Sequence, residues 1–184
     1  MLISAVIPTN KREDKLAKAV MSILSQDIED ADIEVIVVND AGEPLQPADW
    51  QKDPRVLVCN TNHTERAVAR NTGAALSKGD YIAFLDDDDE RLPGAFAAML
   101  DVAHKTQADW IYGSYEEVDD DGNHIRVCRP IVRGNIFALV IAGAAVPVQA
   151  SMIKRDTFFK VGAFDNRFHA EEDTELLQRI SILE

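Results

Sequence analysis

The chain predicts an α/β domain with a mostly parallel sheet, helices on both faces and a small antiparallel hairpin region. Three observations lead there. Strand-like apolar runs alternate with helical amphipathic stretches through the first hundred residues, the pattern of strand–helix–strand crossovers. The run Tyr81-Ile82-Ala83-Phe84-Leu85 reads as a buried strand, yet it ends abruptly in Asp86-Asp87-Asp88-Asp89. Uncompensated charges cannot continue a buried strand, so this carboxylate cluster is delivered to a strand's C-terminal end, where open α/β sheets bind ligands. Finally, 184 residues suffice for one domain with a substantial core and are too few for two comfortable ones.

Each element has a local reason. Residues 2–7 read as a buried first strand stopped by Pro8-Thr9-Asn10. A helix is expected over 13–26, with Leu16, Val20, Ile23 and Leu24 on one face. Residues 33–38 form a second buried strand ended by Asn39-Asp40-Ala41-Gly42, and 56–59 a short third. An Ala-rich helix is expected over 65–76, then a turn at 77–80, then the strand 81–85. Pro93 suits the first position of the next helix, where its missing N–H is harmless, and Phe96, Met99, Leu100 and Ala103 follow at helical spacing. Residues 110–118 and 124–127 read as a hairpin around Asp119-Asp120-Asp121-Gly122-Asn123. That tip fails the calcium-loop pattern, because its glycine is misplaced and Cys128 stands near where a bidentate Glu is needed. A strand is expected over 148–154 and a short helix over 157–161, stopped by Gly162. Asp173 or Thr174 should cap a last helix with Leu176, Leu177 and Ile180 inward.

Composition narrows the function. Hydrophobic residues make up 46% and charged residues 28%, an ordinary globular balance. The formal net charge of −13 disfavours binding to nucleic acid or to an anionic membrane. Cys59 and Cys128 form no CxxC motif, so a reduced cytoplasmic compartment is the default, with both expected as buried small apolar residues. The four histidines lack ligand spacing. The N-terminus does not read as a signal peptide. The apolar stretch 136–150 is too short to span a bilayer and carries Gly143 and Pro147, so no transmembrane segment is expected. Acidic residues recur at element ends: Asp40, Asp86 to Asp89, and Glu171-Glu172-Asp173. Such hard oxygen ligands suit Mg²⁺ or Mn²⁺ with phosphate oxygens completing the shell, and a solvated acidic turn is the plain alternative.

Several ordered motifs together resemble the family 2 glycosyltransferases, which have the Rossmann-like A-type nucleotide-diphospho-sugar transferase fold. Ala5-Val6-Ile7-Pro8-Thr9 is similar to the family's opening strand and Pro-Thr turn, and Glu34 through Asp40 to the strand whose last Asp meets the nucleobase. Ala69-Arg70-Asn71-Thr72-Gly73 with Gly79-Asp80 resembles the helix before the metal strand. Phe84 through Asp89 resembles the acidic metal motif, and Gly162-Ala163-Phe164-Asp165 with Glu172-Asp173 resembles the closing segments. The resemblance implies that Pro8, Thr9, Asp40 and Arg70 line the nucleoside pocket and that Asp86 orients the sugar or ribose. It makes Asp88 the metal-bound carboxylate and Asp173 the general base, with Asp87, Glu172 and His169 as supporting candidates. It implies a Mn²⁺ or Mg²⁺ cofactor, a nucleoside diphosphate sugar donor, uridine-linked, and a glycan or lipid-linked hydroxyl acceptor. The expected role is inverting transfer in cell-surface polysaccharide or glycan synthesis, in the cytoplasm, with peripheral association at the inner membrane face compatible.

The chain departs from that pattern in places. Asn39 stands where an Asp often precedes the nucleobase Asp, and Glu65-Arg66-Ala67 lies where the family often has a Gly. The expected organisation is one domain over 1–184, with a nucleotide-binding half (1–106) and an acceptor and catalytic half (107–184). The chain stops at Glu184, a turn or two past the Glu-Asp motif, which fits a compact member or one truncated at the C-terminus. The alternative function is a catalytically incomplete nucleotide-sugar-binding domain acting as a partner or regulatory module. A nucleotidyltransferase is a weaker third, since Pro8-Thr9-Asn10-Lys11 offers no Gly-rich phosphate loop. Individually, Asp40 could be a turn residue, Arg70 an ordinary ion-pair partner and Asp173 only a helix cap, and Trp110 and Tyr112 are expected in the core.

Overall fold

The computed structural model describes residues 1–119, 121–130, 134–143 and 146–183. Asp120 at the expected hairpin tip, Ala144 and Ala145 in the apolar stretch, and Glu184 lie outside the described residues.

Strands β1 (Leu2–Thr9), β2 (Asp32–Asn39), β3 (Val56–Asn60), β4 (Tyr81–Phe84), β5 (Trp110–Tyr112) and β8 (Ser151–Lys154) build the main sheet, in the order β3-β2-β1-β4-β8-β5. The neighbours β3, β2, β1 and β4 pair in parallel, with Ile3 opposite both Ile33 and Tyr81. Strand β8 is antiparallel to both β4 and β5. The remaining pair, β6 (Tyr115–Val118) and β7 (His124–Cys128), forms a separate antiparallel hairpin.

Alternation along the strands supplies two apolar faces. Ile3, Ala5, Ile7, Val35 and Val37 pack with α1 (Glu13–Leu24) and α3 (Ala95–Thr106) through Leu16, Val20, Ile23, Phe96 and Leu100. Val6, Ile36, Val38, Ile82 and Phe84 face the opposite way. They form the second core cluster with residues of α2 (Arg66–Leu76), α4 (Phe137–Ile141), α5 (Arg155–Lys160) and α6 (Glu172–Ser181). Helix α2 lies unusually close to the sheet at Gly73, where an added Cβ would stand 2.3 Å from Val6 Cγ1 and 3.1 Å from Val38 Cγ2. That close seat holds the preceding turn of α2, which carries Arg70, at the sheet edge.

The structure differs from the sequence expectations at several boundaries. Helix α3 begins at Ala95, because Gly94 takes a left-handed conformation (φ 75°) and leaves Pro93 in the preceding turn. The expected strand 110–118 divides at Gly113-Ser114: Trp110–Tyr112 stays in the main sheet and Tyr115–Val118 leaves for the hairpin. The start of the expected strand at 148 is a 3-10 turn, Val148–Ala150. Helix α4 was not foreseen. Trp110 is buried as expected, donating its indole N–H to Ser151 Oγ at 3.0 Å, whereas Tyr112 is half-buried. Cys59 and Cys128 are free but only partly buried, since β3 is an edge strand and β7 belongs to the outlying hairpin.

One core residue works against stability. Arg91 is 7% exposed, and its Nε and Nη2 have no hydrogen-bond partner among the described residues, while its guanidinium lies 5.0 Å from the Phe96 ring centre. Burial pulls its pKa down to about 10, with Asp89 opposing. Burial penalises the charged form, so the cost is present at neutral pH and lifts only as pH rises through about 10. Arg91→Met, which fills much of the same volume without a charge, is expected to stabilise the fold by on the order of 1–3 kcal/mol. Urea denaturation at pH 7 checks this, and a lower midpoint for the variant refutes it.

Candidate functional site

Parallel pairing puts the C-terminal ends of β1, β2, β3 and β4 on one sheet edge, and the reversed β8 brings its N-terminal end to the same edge. Thr9, Asp40, Asp86 to Asp89 and Gln149 therefore share that edge.

The acidic run after β4 forms a turn, closed by the Asp89 N–H donating to the Asp86 carbonyl at 3.1 Å. Its carboxylates have different tasks. Asp87 is buried, accepts the Thr9 hydroxyl at 2.6 Å and lies 3.2 Å from Arg12. Burial raises its pKa despite Thr9 and Arg12. Asp88 is more open, with a side chain 38% exposed, and one oxygen takes Arg12 Nη1 at 2.5 Å. Asp86 accepts Arg70 Nη2 at 2.7 Å on one oxygen and the Gln149 amide at 2.6 Å on the other. Burial acts to raise its pKa, but Arg70 and Gln149 hold it below the ordinary carboxylate value. Asp89 reaches solvent, yet local desolvation and the neighbouring Asp86 and Asp88 push it up to about 6.

The second acidic group docks onto the first through Arg70. Glu172, 2% exposed, accepts Arg70 Nη1 at 2.9 Å and Arg66 Nη1 at 3.4 Å. Asp173 follows in the first turn of α6, half-buried, and accepts the Thr174 N–H at 2.8 Å. It is not the expected cap: Glu171 precedes the helix in a left-handed conformation (φ 61°), and Thr174 gives its hydroxyl to Glu171 at 2.9 Å.

Asp40 is 7% exposed and held separately. It accepts the Thr61 hydroxyl at 2.7 Å, and the Thr64 N–H and hydroxyl at 2.8 and 3.0 Å. Burial alone would raise its pKa; these bonds and nearby His63 lower it, so Asp40 stays ionised. Beside it a surface cavity of about 340 Å³ is lined by Lys11, Glu13, Asp14, Ala41, Glu43 and Leu45. A larger depression of about 730 Å³, lined by Ala75, Arg155, Asp156, Phe159 and Lys160, lies at the other end of the sheet, away from the acidic edge. Pro8 pairs with Val38 inside the sheet, half-buried. His169 is exposed and stands 3.9 Å from Glu65.

Thr9, Asp87 and Asp88 are thus brought together around Arg12, and Asp86 and Glu172 around Arg70. Sequence reasoning missed Arg12 and Gln149. A cation just after the Pro-Thr turn was a usable signal for Arg12; Gln149 gave none. Asn39, which the sequence offers as a simple turn substitution, has specific partners. The Asn39 amide donates to the Glu43 carbonyl at 2.7 Å and to Asn60 Oδ1 at 2.8 Å, and its oxygen accepts the Ala41 N–H at 3.2 Å. A carboxylate there would lack those donors.

Non-glycine residues with positive φ gather in the loops of this site: Lys11, His63, Glu65 and Glu171. Glu65, at φ 76° and ψ 155°, occupies a region that is essentially glycine-only and costs about 1–3 kcal/mol. Glu65→Gly is therefore expected to stabilise the fold by about 1 kcal/mol, after roughly 0.5–1 kcal/mol is lost to glycine's greater unfolded freedom. The stretch that departs from the family pattern thus contains a position where the backbone favours glycine. Thermal unfolding of the variant tests this, and a fall in Tm contradicts it.

Among the described residues, no three His, Cys, Asp or Glu side chains are placed to hold a metal by themselves. The geometry still fits Mg²⁺ or Mn²⁺, which are commonly held by one or two carboxylates plus substrate phosphates. Asp88 has one oxygen engaged by Arg12 and its other oxygen without a hydrogen-bond partner among the described residues. No helix of the described residues is long and apolar enough to cross a membrane.

Comparison with known proteins bears on the family and the fold. The model of "Glycosyl transferase family 2" matches residues 4–164. The poly(ribitol-phosphate) beta-N-acetylglucosaminyltransferase TarP of Staphylococcus aureus is 31% identical over 118 residues, covering 61% of this chain and 36% of TarP. The crystal structure of S. aureus TarS 1-349 in complex with UDP-GlcNAc superposes with a TM-score of 0.74 at 15% identity, over 99% of this chain and 54% of that one. The mannosyltransferase PcManGT of Pyrobaculum calidifontis, in complex with GDP-Man and Mn²⁺, gives 0.71 at 16% identity, over 98% and 52%. At such identities the solved structures speak for the fold, and this chain spans well under two thirds of each of these relatives.

Proposed function

The chain belongs to glycosyl transferase family 2, and from that premise we propose that it is the donor-binding and catalytic unit of a metal-dependent, inverting glycosyltransferase. The donor is a nucleoside diphosphate sugar, uridine-linked, and the acceptor a glycan or lipid-linked hydroxyl of the cell surface. The observation that carries this reading is the shared edge. Asp40, Thr9 and the Asp86–Asp88 carboxylates line up along it, and Glu172 brings Asp173 to it through Arg70.

On this reading Asp40 offers an ionised acceptor to a base N–H, beside the cavity at Lys11 and Ala41. Asp88 would hold Mn²⁺ or Mg²⁺, and the cation, when bound, would neutralise charge on the leaving diphosphate. Asp86, gripped by Arg70 and Gln149, has a fixed orientation toward the sugar or ribose. Asp173 takes the proton from the acceptor hydroxyl on the face opposite the leaving group, as inversion requires. The TarS complex with UDP-GlcNAc and the PcManGT complex with GDP-Man and Mn²⁺ support the donor class and the metal as readings for this chain.

A thermal-shift panel of UDP, GDP and their sugars, each with and without Mn²⁺, tests the proposal. A cognate ligand at a hundredfold excess over its Kd adds about 2.7 kcal/mol of stability. Stabilisation by a uridine diphosphate that grows with Mn²⁺, together with transfer or slow donor hydrolysis, is the expected result. No response to any member of the panel overturns it, and binding without either activity favours a binding module.

A further inference from the structure

We propose that Arg70 is a positioning residue that fixes the first turn of α6, and with it Asp173, against the end of β4. This rests on the reading of Asp173 as the base. The side chain of Arg70 is only 1% exposed, and its two terminal nitrogens are both spent on protein carboxylates: Asp86 at 2.7 Å and Glu172 at 2.9 Å. Its guanidinium also lies 5.4 Å from the Phe164 ring centre. The two carboxylates come from elements far apart in sequence, one at the end of the acidic strand and one next to Asp173. Both are held from a second side, Asp86 by Gln149 at 2.6 Å and Glu172 by Arg66 at 3.4 Å.

The next residue repeats the grip. Asn71 gives its amide to the Phe164 carbonyl at 2.8 Å and accepts the Phe164 N–H at 3.0 Å, pinning the chain that leads into α6. Both polar residues of the Ala-Arg-Asn motif thus serve to hold the C-terminal segment. Planar guanidinium suits this bridge, because two nitrogens reach two acceptors at once in a fixed fork. A lysine ammonium can keep the charge but not the fork. A misplacement of about 1 Å in a catalytic group costs on the order of 10²-fold in rate, so a loosened bridge is felt at Asp173, while Asp86 keeps its second hold, from Gln149, and with it its place in the donor pocket.

The experiment compares the parent with Arg70→Lys and, should that variant fold poorly, with Glu172→Gln, which keeps shape and an acceptor oxygen. Expected for either variant is a kcat lowered by about 10–10²-fold, with donor KM and Mn²⁺-dependent UDP affinity within about threefold of the parent. Hydrogen exchange should accelerate at the amides of residues 171–176 while those of β1 stay protected. The double variant should be little worse than the worse single one, because both break one bridge. Loss of UDP affinity in step with kcat overturns the proposal and makes Arg70 a donor contact. Unchanged exchange at 171–176 also overturns it. Exchange and UDP binding are read without turnover, so a parent lacking transfer would count against the proposed function while the exchange result still decides the role of Arg70.

Discussion

Asp173→Asn is expected to lower sugar transfer by ~10²–10⁴-fold, the usual loss on removing a general base, while donor and metal binding persist. The substitution is close to silent in structure. Asp173 is half-buried, and the hydrogen bond it makes, from the Thr174 N–H at 2.8 Å, asks only for an oxygen that an amide also provides. The start of α6 does not hang on it, because Glu171 precedes the helix and Glu172 is anchored by Arg70 and Arg66. The remaining stability cost is the lost attraction of an anion to a helix N-terminus, about 0.3–1 kcal/mol. What asparagine does not keep is the ability to take a proton from an acceptor hydroxyl. Steady-state transfer, or donor hydrolysis with water as acceptor, measures the rate, and calorimetric titration with UDP and Mn²⁺ measures binding. A rate within threefold of the parent removes Asp173 from the role of base. A parallel loss of UDP affinity means that the substitution damaged the donor site instead.

The architecture was largely legible in the sequence because parallel strands buried on both faces leave long apolar runs, and the crossover helices leave clean 3.6-residue periods. β1, β2 and β4 and the inward faces of α1 and α3 follow from those patterns alone. The misreadings fall where short segments are decided by tertiary context. Tyr115–Val118 has the composition to continue β5, but the Gly113-Ser114 break turns it out of the sheet. Pro93 is a competent first helical residue, and Gly94 at positive φ overrides it.

The site was legible as residue types and less so as partnerships. Carboxylates at strand ends could be placed on one edge from topology. Which partner each of them meets could not, since Arg12, Arg70 and Gln149 reach Asp88, Asp86 and Glu172 over separations of 16 to 102 residues. Arg70 shows the limit most clearly. The family resemblance assigns it to the nucleoside pocket, whereas the fold buries it between two carboxylates. Asp87 is similar: it reads as one more member of an acidic run, yet it is turned inward onto Thr9.

The four adjacent carboxylates are therefore not equivalent, and Asp88→Asn should show it. Asp86 and Asp87 have their oxygens committed to Arg70, Gln149, Thr9 and Arg12, whereas Asp88 meets only Arg12 among the described residues and is the more open side chain. A site in which protein and diphosphate share one divalent cation depends on each anionic ligand. The expected outcome is a loss of at least tenfold in UDP affinity with Mn²⁺ present and little change in its absence. Stability should move by less than about 1 kcal/mol, because a half-exposed ion pair contributes little. Arg12→Ala supplies the opposite sign. It removes the cation now resting on Asp88, so Mn²⁺ should bind the nucleotide-free protein more tightly than it binds the parent, and more weakly at raised salt in both. Titration calorimetry with Mn²⁺ alone, with UDP alone and with the two together separates these effects. If Asp88→Asn binds UDP in Mn²⁺ as well as the parent does, Asp88 is not the metal ligand. If Arg12→Ala weakens Mn²⁺ binding, Arg12 orders Asp88 for the metal instead of competing with it.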